Sequence, residues 1–146
     1  MDVHALIQEW KQGPDFVKHV GMVLSHHGLV RGTTRVGGAP VECVRVTPDN
    51  ARIEALRCEF ERRPGIYRIA AKACEGCLYP GDNLLYLVVA GDIREHVKPV
   101  LAELLDRIKA EAVQKEEVRK GTGEDTDEDM SEDTGEDTGE EVKGGE

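Results

Sequence analysis

The chain has 146 residues, with 29 acidic and 19 basic side chains and a formal net charge of −10. Residues 121–146 hold 12 of the acids and one base, Lys143, so the preceding 120 residues are near neutral and the charge belongs to a C-terminal appendage. The balance excludes an acidic globule, the run Leu84–Ala90 is too short to cross a bilayer, and six aromatic residues on a neutral body exclude a stacking platform for single-stranded nucleic acid.

Residues 2–12 predict a short amphipathic helix, because Val3, Leu6, Ile7 and Trp10 recur at helical spacing. Gly13-Pro14-Asp15 ends it. Val20–Leu24 reads as a strand, followed by His26-His27-Gly28-Leu29-Val30-Arg31. The stretch from Gly32 to Pro40 is rich in Gly and Thr and predicts a loop or hairpin tip. Val41–Val46 alternates as a strand. Thr47-Pro48-Asp49-Asn50 then supplies polar groups that cap a helix whose inner stripe is Ile53, Leu56 and Phe60. Arg62-Arg63-Pro64-Gly65 ends that helix.

Ile66–Ala73 predicts a strand, with Ile66, Arg68, Ala70 and Lys72 on one side and Tyr67, Ile69, Ala71 and Ala73 on the other. Leu78-Tyr79-Pro80-Gly81-Asp82 is a turn. Leu84–Val89 is almost wholly apolar, as in a central strand covered on both faces. A long helix is expected from about Ile93 to Lys115, with Pro99 either inside it or at its first position. This order of elements predicts an α+β fold: an antiparallel-rich sheet with helices packed on one face. The domain is expected over residues 1–120, and residues 121–146 are expected to be a disordered acidic tail.

Within the tail, Asp125, Asp127, Asp129, Ser131, Asp133 and Glu136 stand at the spacing of a calcium-binding loop. Met130 occupies the position where that loop needs glycine, and no amphipathic helices flank it, so the tract reads as a solvated polyanion. The N-terminus has no basic segment leading into an apolar core, since Asp2, Glu9 and Lys11 interrupt it. A cytoplasmic location is therefore expected. There Cys43, Cys58, Cys74 and Cys77 are expected as free thiols. Cys74-Glu-Gly-Cys77 has the spacing of half a zinc site, but no standard second pair of ligands accompanies it. No metal and no cofactor are expected.

The candidates for chemistry are cations: Arg31, Arg94, Lys109 and Lys115. Arginine pairs bidentately with phosphate or carboxylate. A lysine held among other cations, or partly desolvated, becomes a usable nucleophile or base. The competing reading is that helix-borne cations are solvated surface charges, favoured near a helix C-terminus by its dipole.

Gly28-Leu29-Val30-Arg31, Leu78-Tyr79-Pro80-Gly81-Asp82, the apolar strand ending at Ala90, Arg94, and Leu104-Leu105-Asp106-Arg107-Ile108-Lys109 together resemble the catalytic large subunit of molybdopterin synthase, the MoaE family. The resemblance covers roughly residues 17–116 and implies an α/β hammerhead-type fold. It implies a homodimer, each copy of which binds a small ubiquitin-like sulfur carrier (MoaD-like) to make a heterotetramer. The implied reaction carries sulfur from the carrier's C-terminal thiocarboxylate to cyclic pyranopterin monophosphate, forming molybdopterin. Nucleic acid and membrane are not expected partners. Lys109 matches the family's principal catalytic lysine, Lys115 a second one, and Arg31 and Arg94 match arginines that line the anionic pocket.

Two departures stand out. Ile93 stands where the family carries His, and Lys115 is one residue closer to Lys109 than in the family, a turn of about 100° on a continuous helix. The first, together with the acidic tail standing where the family has a segment that helps close the site, motivates an alternative expectation: a non-catalytic paralogue that keeps the fold and dimer and serves as a binding or regulatory module. A further alternative is an interaction protein whose tail binds a basic partner or a divalent cation.

Overall fold

The computed structural model describes residues 1–120. The tail, with its calcium-like spacing, lies outside the described residues. The elements in chain order are α1 (Val3–Lys11), α2 (Phe16–His19), β1 (Met22–Leu29), β2 (Val41–Pro48), α3 (Asn50–Glu61), β3 (Ile66–Ala73), β4 (Gly76–Leu78), β5 (Asn83–Gly91), α4 (Arg94–Glu111) and β6 (Val113–Arg119). Local chemistry sets the helix starts. The Asp2 carboxylate accepts the Ala5 N–H at 3.0 Å, and the Asp49 carboxylate accepts the Arg52 N–H at 3.0 Å.

The strands form two antiparallel three-stranded sheets, ordered β1-β5-β3 and β4-β2-β6. The almost wholly apolar β5 is central in the first, as its composition predicts. Leu85, Leu87 and Val89 face one way and meet Ile53, Leu56 and Phe60 of α3 and Val97, Val100, Leu104 and Ile108 of α4. Val88 and Ala90 face the other way and meet Trp10 of α1 and Phe16 of α2. Phe16 also stands edge-on to Tyr67, with ring centroids 5.7 Å apart. Helices therefore cover both faces of this sheet, not one. The second sheet has its own core of Val30, Val41, Val44 and Val46, and Leu84 and Val113 pack against both this core and the α3–α4 core.

Two further sequence expectations are corrected. The helix expected to run to Lys115 ends at Glu111, and the chain turns at Ala112 into β6. The residues after Val113 have good helix propensity, but the ladder to β2 overrides it, with Val113 opposite Pro48 and Lys115 opposite Val46. Pro99 lies inside α4, the first of the two placements that the sequence allows. In β3 a bulge between Ile66 and Arg68 breaks strict alternation. Ile66 accordingly packs with Ile69 and Ala71 on the α3–α4 side, while Tyr67 and Ala70 pack on the α1–α2 side.

Candidate active site

The direction of α4 decides which cations can meet. β5 ends at Gly91, opposite Met22 at the start of β1. α4 starts at Arg94, near that end, and packs back over β5 and β1. It therefore runs alongside β1 in the same direction. Lys109 stands fifteen residues beyond Arg94 on this helix, roughly 22 Å along its axis at 1.5 Å per residue. Lys109 thus lies toward the Leu29 end of β1 and Arg94 at the Met22 end.

Around Lys109 the other helix cations are neutralised. Glu111 pairs with both Arg52 and Arg107, and Arg107 also reaches Glu59 at 3.3 Å. This network ties α3 to α4 and holds the Glu111 carboxyl below its usual range. Lys109 is exposed and makes no hydrogen bond or ion pair among the described residues. Its charge acts on a residue outside the candidates that the sequence offers. His26 shares the α4-facing side of β1 with Met22 and Leu24, by strand alternation. Its Nε2 is buried with no hydrogen-bond partner among the described residues. Burial first, then the charge of Lys109 and then His27, lower its pKa to about 4. His26 is therefore a neutral imidazole at neutral pH. Ending the strand at Leu24 hid it; a strand continued to Leu29 puts His26 in phase with Leu24.

Arg31 follows β1 at the same end. The buried Val30 anchors it: the Val30 N–H donates to the Asp82 carbonyl at 2.9 Å, and the Gly81 N–H donates to the Val30 carbonyl at 2.9 Å. The Asp82 carboxylate in turn accepts the Tyr79 N–H at 2.8 Å. The segments Gly28–Arg31 and Leu78–Asp82, separate in sequence, thus form one structure. The Arg31 side chain is exposed, and the same two segments expose the apolar side chains of Leu29 (53%) and Tyr79 (52%).

Arg94 is exposed at the far end, 3.8 Å from Glu95, in a shallow depression it shares with Lys98 and Pro99. Ile93 before it is half exposed, and Asp92 accepts from or pairs with His96 Nδ1 at 2.8 Å. Lys115 is exposed on β6, an edge strand. The turn between α4 and β6 borders a cleft of about 240 Å³ lined by Thr47, Asp49, Glu111 and Gln114, but neither Lys109 nor Lys115 lines it. One chain therefore brings Lys109, His26 and Arg31 toward one end of the sheet and leaves Arg94 at the other. Among the described residues, no group of three or more His, Cys, Asp or Glu is placed to hold a metal ion.

The family model described as MoaE protein matches residues 1–111, a stretch that includes Arg31, Arg94 and Lys109 and stops short of Lys115. No curated protein matches the chain. Solved structures share its fold. Molybdopterin synthase from Staphylococcus aureus is 18% identical, covering 70% of this chain and 77% of its own, with a TM-score of 0.61. The molybdopterin biosynthesis MoaE protein from Burkholderia ambifaria is 21% identical, covering 82% of this chain and 78% of its own, with a TM-score of 0.64. A chain from the complex of subunits 1 and 2 of molybdopterin-converting factor from Helicobacter pylori is 14% identical, covering 84% and 82%, with a TM-score of 0.61. With three quarters of the chain matched by the family model and the same mixed antiparallel architecture in these structures, the chain belongs to the MoaE family.

Proposed function

We propose that this chain, whose family gives it a role in molybdenum cofactor biosynthesis, is the large subunit of a molybdopterin synthase. In this reading it carries sulfur from the thiocarboxylated C-terminus of a small ubiquitin-like carrier to cyclic pyranopterin monophosphate. The observation that carries the reading is the state of Lys109. It is the exposed cation at the end of α4 that no carboxylate neutralises among the described residues, while Arg107, one half-turn away, is held by Glu111 and Glu59. An amine so presented can act as base or nucleophile in acyl transfer. Arg31, held by the Val30–Asp82 hydrogen bonds at the same end, offers a bidentate partner for a phosphate or thiocarboxylate.

Arg94 serves the same anionic pocket only if a second copy supplies it, because roughly 22 Å of helix separates it from Lys109. A homodimer in which each site takes Arg94 from the partner satisfies this geometry. Lys115 joins the site from β6: the end of α4 at Glu111 removes the one-residue phase problem that a continuous helix would impose. The carrier is proposed by analogy with the two-subunit complex of the Helicobacter pylori protein. The exposed Leu29 and Tyr79, on the same two joined segments as Arg31, give it apolar surface to meet.

One observation favours the second reading, a non-catalytic family member: Ile93, half exposed, stands beside Arg94 where the resemblance places a histidine. The experiment that separates the two mixes the purified chain with a thiocarboxylated carrier and cyclic pyranopterin monophosphate, and reads molybdopterin through the fluorescence of its oxidised derivative. Turnover supports the synthase. Carrier binding without turnover supports the non-catalytic reading.

A further inference from the structure

Cys43 on β2 and Cys77 on β4 bring their Sγ atoms to 2.7 Å. The register explains the meeting. Arg45 lies opposite Cys77, and Val44 lies opposite Leu78. Cys43, two residues before Arg45, is therefore diagonal to Cys77 on the same face. The other face sends Val44 and Leu78 into the core of the second sheet. The CxxC spacing points instead to Cys74 as the partner of Cys77. But the Cys74 N–H donates to the Leu84 carbonyl at 2.8 Å, which ties its backbone toward β5, while Cys77 has crossed to β2.

The two thiols differ in access. Cys43 is buried, at 5% exposure, and Cys77 is exposed. A reachable thiol in contact with a shielded one is the arrangement that two-step thiol–disulfide exchange requires. We propose that Cys43 and Cys77 form an oxidation site that takes a low-molecular-weight disulfide and closes to an intramolecular disulfide between β2 and β4.

The exchange balances in two steps. Cys77, as its thiolate, attacks one sulfur of the small disulfide; a bond forms to that sulfur, and the other sulfur leaves as a thiolate. Cys43 then loses its proton and attacks Cys77 Sγ, and the second small thiolate leaves. Two electrons and two protons pass from the cysteine pair to the small disulfide, which becomes two thiols. Burial first, and then the neighbouring Cys77, push the Cys43 thiol up to about 11. Cys43 is thus the resolving group and Cys77 the first attacker.

The bond fastens β4, a three-residue edge strand, to the centre of its sheet. Tyr79 lies beside the pair, and its phenol is pushed up by Cys77 and Cys43. The same turn holds Val30, and through it Arg31, so the site adjoins the candidate active site without depending on the sulfur-transfer reading.

The test uses the full chain, reduced, freed of reductant, and then incubated with oxidised glutathione. After acid quenching, intact mass and the tryptic peptides 36–45 and 73–94 are read by tandem mass spectrometry. The expected result is a loss of two hydrogens with no retained adduct, and fragments that join Cys43 to Cys77. Cys74→Ser forms the same bond. Cys77→Ser, a change at an exposed position whose folding is checked by circular dichroism, forms none. A bond between Cys74 and Cys77 overturns the proposal. So does a glutathione adduct on Cys77 that never closes in the unsubstituted chain, or a chain that stays fully reduced while a free cysteine control is oxidised.

Discussion

His26 is on the α4-facing side of β1, and the charge of Lys109 in the last turn of that helix helps to hold the imidazole neutral. The pair couples the fold to pH with a definite sign. The unfolded chain protonates His26 near 6.5, whereas the folded chain resists until about 4. Between these values the unfolded state binds more protons, so stability falls as pH drops from 6.5 toward 4 and is unaffected by His26 above that range. His26→Phe removes this component. Urea unfolding at pH 7.5 and pH 4.5 is expected to show a smaller loss of stability in His26→Phe than in the unsubstituted chain. Equal losses would show that His26 is not held neutral.

Lys109 and Arg107 are neighbours on one helix with opposite expected phenotypes. Lys109→Ala removes no ion pair among the described residues, so its stability is expected within about 0.5 kcal/mol of the parent. Molybdopterin formation by that variant is expected to fall by roughly 10²–10⁴-fold, the range for a lost general acid–base or nucleophilic group. Arg107→Ala opens the network with Glu111 and Glu59. Because these groups are partly exposed, it is expected to cost little stability and to leave turnover within a few-fold. Thermal unfolding and the turnover assay, run side by side, check both.

The separation of Arg94 from Lys109 predicts complementation between inactive variants. Lys109→Ala and Arg94→Ala are each expected to be poorly active alone. Refolded together as random dimers, they regain about a quarter of parental activity, because half the dimers are mixed and each mixed dimer holds one intact site. Activity that stays at the level of the separate variants would place both residues' work within one chain or exclude Arg94 from the pocket.

Gly65 anchors the Arg94 end. Its φ is +82°, and a Cβ there would lie 2.2 Å from His96 Nδ1 and 2.5 Å from Asp92 Oδ1. The Gly65 carbonyl also accepts the Asp92 N–H at 2.9 Å. Gly65→Ala is therefore expected to destabilise the chain by more than about 1 kcal/mol, through both backbone strain and the displaced Asp92–His96 pair. Chemical unfolding measures it; a change below a few tenths would mean that the turn relaxes freely.

Much of this architecture is legible in the sequence, because burial patterns there are strong. The unbroken apolar run of β5 shows a strand covered on both sides, and the capping Asp49 shows the start of α3. Three features depend on contacts between distant segments and leave weaker marks. β6 reads as the end of a helix because its residues favour helix until β2 pairs with them. The bulge in β3 exchanges the faces of Ile66 and Tyr67, which alternation alone does not reveal. The contact of Cys77 with Cys43 follows from the register of β2 against β4, which the CxxC spacing does not reveal. At the candidate site, Lys109 and Arg31 are visible as residues. Their shared end of the sheet, and the exclusion of Arg94 from it, follow only from the direction of α4.

The most direct measurement is a single-turnover assay of the unsubstituted chain and Lys109→Ala. Each is first shown to bind a thiocarboxylated carrier, and molybdopterin is then read after addition of cyclic pyranopterin monophosphate. Product is expected from the parent, with loss of at least about 100-fold in the rate for Lys109→Ala at unchanged carrier binding. Equal rates in the two proteins, or no product from a parent that binds its carrier, would contradict the proposed function.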